Sequence, residues 1–127
     1  MPGASLFLVE DEVLIRMMIA DMVVEFGHRV VAEAGSIHEA TSLAGSAQFD
    51  LALLDVNIAG SNIAPAAEII EGRGLPLLFV TGYGKKGIPP HFQARPTLSK
   101  PFLANQLKAM IDAALEKCPS NLTVSPE

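Results

Sequence analysis

An open parallel α/β sheet with helices on both faces is the fold class this sequence predicts. Short apolar runs alternate with longer amphipathic stretches along the 127 residues. The third run, 49–54, is apolar on both faces apart from Asp50, as a strand covered by helices on both sides should be. The first run, Leu6-Phe7-Leu8-Val9, stops abruptly at Glu10-Asp11-Glu12 before a helix-like stretch resumes. Alternation of this kind feeds parallel strands through helical crossovers.

The elements follow in order. Residues 6–9 form the first strand. Residues 12–26 read as a helix whose polar positions Glu12, Arg16, Asp21 and Glu25 make one narrow wet stripe; Met17, Met18 and Met22 are then core filler, and Gly27 is the stop. Residues 29–32 form the second strand. Ser36 and Glu39 make a capping box ahead of Ile37, Ala40, Leu43, Ala44 and Ala47 at helical spacing. The third strand is followed by a weaker, shorter helix at 65–71 and a fourth strand at 76–80. A brief fifth strand at 97–99 precedes a closing helix at 103–118, with Leu103, Leu107, Met110, Ile111, Ala114, Leu115 and Cys118 on one face. One place breaks the rhythm. The stretch 82–96, GYGKKGIPPHFQARP, is rich in glycine and proline, which disfavours a full helix.

Composition narrows the function. The length suits one domain, 1–118, with 119–127 as a flexible polar tail too short for an effector domain. The net charge of −5 and scattered basic residues argue against a nucleic-acid surface. Cys118 has no second cysteine to pair with, and no run approaches the roughly 18 apolar residues of a spanning helix. A cytoplasmic protein with no membrane insertion is the expectation.

In open parallel sheets, ligands bind beyond the carboxyl ends of the strands. Those ends hold Glu10 and Asp11, then Asp55 in LLDVN, Thr81-Gly82 in FVTGYG, and Lys100-Pro101 in SKPF. Three carboxylates, a hydroxyl and an ammonium therefore converge on one edge. Neighbouring carboxylates repel one another unless a cation intervenes. Mg²⁺ suits an all-oxygen set and keeps positions for water and phosphate. Asp55 is placed as a nucleophile able to carry phosphate as an acyl phosphate, with Thr81 and Lys100 to hold its oxygens. Taken singly, each motif has an ordinary explanation: helix N-terminal acids, a turn aspartate, a strand-ending turn, a solvated lysine. Their co-occurrence at four strand ends outweighs those explanations. His28, His38 and His91 show no ligand spacing and read as surface or loop residues.

These four motifs in this order resemble the receiver domain of two-component response regulators over 5–118. The resemblance implies a flavodoxin-like five-stranded sheet of order 2-1-3-4-5 with a short or absent fourth helix. It implies that Glu10, Asp11, Asp55 and the Asn57 backbone carbonyl hold Mg²⁺. Asp55 would be the phosphoacceptor, Thr81 the switch hydroxyl and Lys100 the phosphate-pairing lysine, with a cis Lys100–Pro101 bond. A sensor histidine kinase or histidine phosphotransfer protein would be the donor, and an unknown downstream protein the receiver of the signal. Such a module is no enzyme beyond catalysing its own phosphorylation and dephosphorylation.

The chain departs from the family pattern at Thr97, where an aromatic switch residue is usual, at the missing fourth helix, and at Ile58-Ala59-Gly60 in place of Met-Pro-Gly. The motif Phe79-Val80-Thr81-Gly82-Tyr83 is similar to that of a subgroup of alphaproteobacterial stand-alone receivers. Two rivals stand beside this reading. A Mg²⁺-dependent aspartyl-phosphate phosphatase of the haloacid dehalogenase type carries its nucleophile on the first strand, with a second acid two residues on, whereas here Asn57 follows Asp55. A phosphate-independent interaction module of the same fold has no need of the complete acid–threonine–lysine set.

Overall fold

The computed structural model describes residues 3–82 and 87–116. Tyr83, Lys85, Lys86, Cys118 and the 119–127 tail, on which the sequence raised expectations, lie outside them. The main sheet is built from β1 (Ser5–Val9), β2 (Arg29–Ala34), β3 (Leu51–Asp55), β6 (Leu77–Thr81) and β7 (Thr97–Ser99). Its strands are parallel and lie in the order β2-β1-β3-β6-β7. Counting the main-sheet strands alone, this is the expected 2-1-3-4-5 order. Two-residue strands β4 (Asn57–Ile58) and β5 (Ser61–Asn62) form a small antiparallel ribbon that the sequence did not announce. Its turn, Ala59-Gly60, has φ of 51° and 89°, the positive pair that a tight right-twisted hairpin requires.

Alternation along the strands divides the core. Phe7, Val9, Ala52, Leu54, Leu77 and Phe79 face α2 (Ile37–Ser46) and α3 (Ala64–Gly72). Leu6, Leu8, Leu51, Leu53, Leu78 and Leu98 face α1 (Val13–Glu25) and α4 (Ala104–Glu116). Side chains on successive strand residues point to opposite faces, so a run apolar at every position buries both. All five residues of β3 and of β6 are buried.

Local chemistry sets the element ends. The Ser36 hydroxyl accepts from the Glu39 amide at 3.1 Å, and the Glu39 carboxylate reaches back to the Gly35 amide at 2.9 Å; the box closes one residue earlier than its usual form. Gly27, at φ 93°, stops α1 as its position predicts. The segment after β6 carries only a 3₁₀ turn, Pro90–Phe92, among its described residues. It is nevertheless anchored. Ile88 and Phe92 are buried in the α2/α3 face of the core, and Arg95 forms a two-pronged pair with Glu71 of α3.

Two packing expectations need correction. Met17 and Met18 are exposed, as are Val13, Leu14 and Val24. Only one side of α1, through Ile15, Ile19, Met22 and Val23, reaches the core. The helix is apolar on more sides than the sheet can cover, so its polar stripe did not mark the whole wet face. Leu103 is likewise exposed, because it precedes α4 and its amide donates to the Gln106 side chain at 2.8 Å. Leu107, Ile111 and Ala114 occupy the apolar face as expected.

Candidate functional site

Parallel register carries the chemistry to one edge. Val9 pairs with Leu54, so the next residues, Glu10 and Asp55, emerge side by side. Asp55 pairs with Val80 and Thr81 with Ser99, which brings Thr81 and Lys100 to the same rim. The Lys100 amide donates to the Thr81 carbonyl at 2.8 Å. The Lys100–Pro101 peptide is cis, as the family resemblance implied. These ends open on a pocket of about 510 Å³ lined by Glu10, Asp11, Asp55, Asn57, Thr81 and Lys100 among others. Every site residue named from the sequence is therefore brought together.

Glu10, Asp55 and Thr81 are buried, at 1%, 8% and 2% exposure, in a core that is otherwise apolar. One carboxylate oxygen each from Glu10, Asp11 and Asp55 lies within 4.8 Å of the others. The Lys100 ammonium donates to Glu10 at 2.8 Å and to Asp55 at 3.1 Å. Lys100 thus bonds two of the three acids. Burial, followed by the charge of Glu10, pushes the Asp55 carboxyl up to about 6 against the opposing pull of Lys100. Burial works against the Lys100 ammonium, but its bonds to Glu10 and Asp55 outweigh it and hold that group above the ordinary lysine range.

The donor set fits a hard divalent cation. It is all oxygen, and opposite ligands of an octahedral Mg²⁺ stand about 4.2 Å apart, from metal–oxygen bonds of about 2.1 Å. The Asp55 carboxyl is raised first by burial and then by the charge of Glu10, and a bound cation would favour its ionised form.

The ribbon after β3 supplies contacts that the sequence reading missed. The Asp11 carboxylate accepts from the Ala59 amide at 2.9 Å, and the Asn57 side chain from the Gly60 amide at 2.9 Å. The Asn62 side chain donates to the Gly87 carbonyl at 2.7 Å and accepts from the Ala64 amide at 2.9 Å. The ribbon therefore ties the acid cluster to the segment that leaves β6. The one available signal was Ala-Gly flanked by two asparagines, a turn-like composition. Elsewhere, the histidines match their expected surroundings: His38 and His91 are exposed, and His28 accepts from the Ala4 amide at 2.9 Å. No helix among the described residues is long and apolar enough to cross a membrane.

Known proteins share this fold. The transcriptional regulatory protein PdtaR of Mycobacterium tuberculosis is 33% identical over 114 residues, covering 87% of this chain and 56% of that protein. The chain thus spans little more than half the length of the curated relatives it matches. The receiver domain of the PhyR response regulator from Erythrobacter litoralis superposes with a TM-score of 0.81 at 26% identity, covering 99% of this chain and 96% of that one. SdrG from Sphingomonas melonis superposes with a TM-score of 0.78 at 31% identity, covering 89% and 97%. The model of the response regulator receiver domain matches residues 6–112. With its strand order, its acid-lined edge and that match across most of its length, the chain belongs to the response regulator receiver domain family.

Proposed function

We propose that the protein is a phosphoacceptor receiver that takes a phosphoryl group on Asp55 in a Mg²⁺-dependent reaction. The observation that carries this reading is the placing of Asp55, buried at the pocket floor between two further acids and a lysine. The donor is a phosphohistidine on a sensor histidine kinase or a histidine phosphotransfer protein. An Asp55 oxygen attacks phosphorus, the donor's P–N bond breaks, and an acyl phosphate forms. Without metal the Asp55 carboxyl is held up to about 6, and Mg²⁺ bound beside it would favour the ionised form that attacks. Lys100 turns from Asp55 to a phosphoryl oxygen, and the Thr81 hydroxyl donates to another. Glu10, Asp11, Asp55 and the Asn57 carbonyl are the groups that would hold Mg²⁺, which neutralises charge on the phosphoryl oxygens when bound. The protein turns over only its own phosphoryl group. The receiver unit acts in the cytoplasm.

The donor must reach the pocket mouth. Glu12 lines the pocket and precedes α1, so the exposed Leu14, Met17 and Met18 extend from the rim as a surface for that protein. The test is incubation with acetyl phosphate and Mg²⁺, with the adduct located by mass. Labelling is expected on Asp55, abolished by Asp55→Asn and by excess chelator. Labelling of Asp55→Asn at the wild-type rate would overturn the assignment.

Output runs through the segment between Thr81 and Thr97 to a downstream protein. Thr97 is too small for a ring toggle, and its hydroxyl donates to the Arg95 carbonyl at 3.1 Å. Because Ile88 and Phe92 anchor the described part, drawing in Thr81 shifts a held block rather than melting a free loop. A beryllofluoride mimic of the phosphoryl group is expected to change amide exchange most within 82–96, less so in Thr81→Ala. A response centred in α4 with this segment silent would refute the route.

A further inference from the structure

Glu10 is gripped at every polar atom. Its amide donates to the Ala34 carbonyl at 3.0 Å, and its carboxylate accepts from the Glu12 amide at 3.1 Å and from Lys100 at 2.8 Å. The remaining atom, its carbonyl oxygen, accepts from the Arg16 guanidinium at 2.8 Å. Arg16 reaches it from the end of the first turn of α1. Its Nε donates to Glu33 of β2 at 3.1 Å, and its side chain is only 20% exposed. The guanidinium passes close over Gly35: a Cβ there would stand 2.5 Å from the Arg16 Nη1 atom, so the fork would have to shift. A charged fork thus spans β1, β2 and α1 and ends on the main chain of one site acid.

We propose that Arg16 is a positioning residue for the acidic site. It fixes the Glu10 carbonyl, and the peptide so held sets where the Glu10 carboxylate points. A neutral residue would leave that carbonyl without its charge-assisted partner and loosen the peptide between Glu10 and Glu12, while the Ala34, Glu12 and Lys100 contacts keep the acid in the site but less tightly placed. The role rests on the Mg²⁺-binding reading for its function, but the placement of Glu10 is measurable without metal.

The test uses Arg16→Met, Arg16→Lys, Gly35→Ala and Glu33→Gln in the full chain. Affinity is read by Mn²⁺ titration with paramagnetic resonance and Mg²⁺ competition. Arg16→Met is expected to weaken binding about tenfold, the lower end of what loss of an outer partner costs a metal site. Gly35→Ala should do the same by displacing the guanidinium. Arg16→Lys should recover part of the loss, and Glu33→Gln should bind as wild type does. In metal-free protein, the Glu12 amide should exchange faster in Arg16→Met while the β1 amides keep their protection, a local effect that general destabilisation would not produce. Wild-type Mn²⁺ affinity and wild-type Glu12 exchange in Arg16→Met would overturn the proposal. If wild type binds no Mn²⁺ or Mg²⁺, the metal reading falls, and the Glu12 exchange alone decides for or against Arg16.

Discussion

Replacing Asp55 by asparagine is expected to stabilise the metal-free protein by about 2–3 kcal/mol near pH 8. The folded chain holds the Asp55 carboxyl at about 6, against 3.8 without the fold, and each pH unit is worth about 1.4 kcal/mol. The sign follows from proton uptake. Between the two values the folded state keeps the proton and the unfolded state has lost it. Stability therefore falls as pH rises from about 4 to about 6 and stays at its lower level above that. Asparagine removes the ionisation, while Lys100 keeps Glu10 as a partner at 2.8 Å. The advantage of the variant should be full near pH 8 and vanish below about pH 4. Urea unfolding with chelator at both pH values measures it; equal stability near pH 8 would show that the site carries no such penalty. Added Mg²⁺ should stabilise wild type under the same conditions by mass action, and Asp55→Asn much less.

Phe92→Ala should cost about 3–5 kcal/mol, the usual range for removing a fully buried ring. Phe92 is 1% exposed. Its ring meets Phe79 edge-on at 5.8 Å, and the Arg95 guanidinium lies 6.0 Å from its centre. Among the described residues before β7, the Pro96 carbonyl joins the sheet by accepting from the Phe79 amide at 3.0 Å. Otherwise the 87–96 stretch is held chiefly by side chains. Removing the ring opens a cavity against Phe79, two residues before Thr81. Arg95→Ala should cost only about 0.5–1 kcal/mol, because its pair with Glu71 is about one-third exposed and screened by water. Chemical unfolding of both variants separates them. A loss below about 1 kcal/mol for Phe92→Ala would mean that the ring is not the anchor.

The site was legible because the strands were. Where an apolar run stops at Glu10, Asp55 or Thr81, the strand end is marked in the residues themselves, and parallel pairing brings such ends together; Lys100, after the short Thr97-Leu98-Ser99 strand, was marked by its SKPF motif instead. Three things were not legible. The ribbon at 57–62 has arms of two residues, too short for any periodicity to register. Phe92 lies among glycines and prolines that speak for irregular backbone but say nothing of one ring turning inward. Arg16 read as one member of a polar stripe, since the carbonyl it serves belongs to another element and leaves no trace in side-chain pattern. The exposure of Met17 and Met18 has a similar cause: hydropathy gives the breadth of an apolar face, not how much of it the sheet can cover.

The hydrogen bond from the Lys100 amide to the Thr81 carbonyl, at 2.8 Å, has a mechanical consequence. Thr81 ends β6 and Lys100 follows β7, and one side chain offers a hydroxyl where the other offers an ammonium. Their main chains are joined at the rim, so a pull on either is transmitted to both. The pocket thus has a single lever with two handles, not two independent degrees of freedom. A displacement that begins at the hydroxyl must carry the lysine with it, and the last main-sheet strand rides on the same pivot.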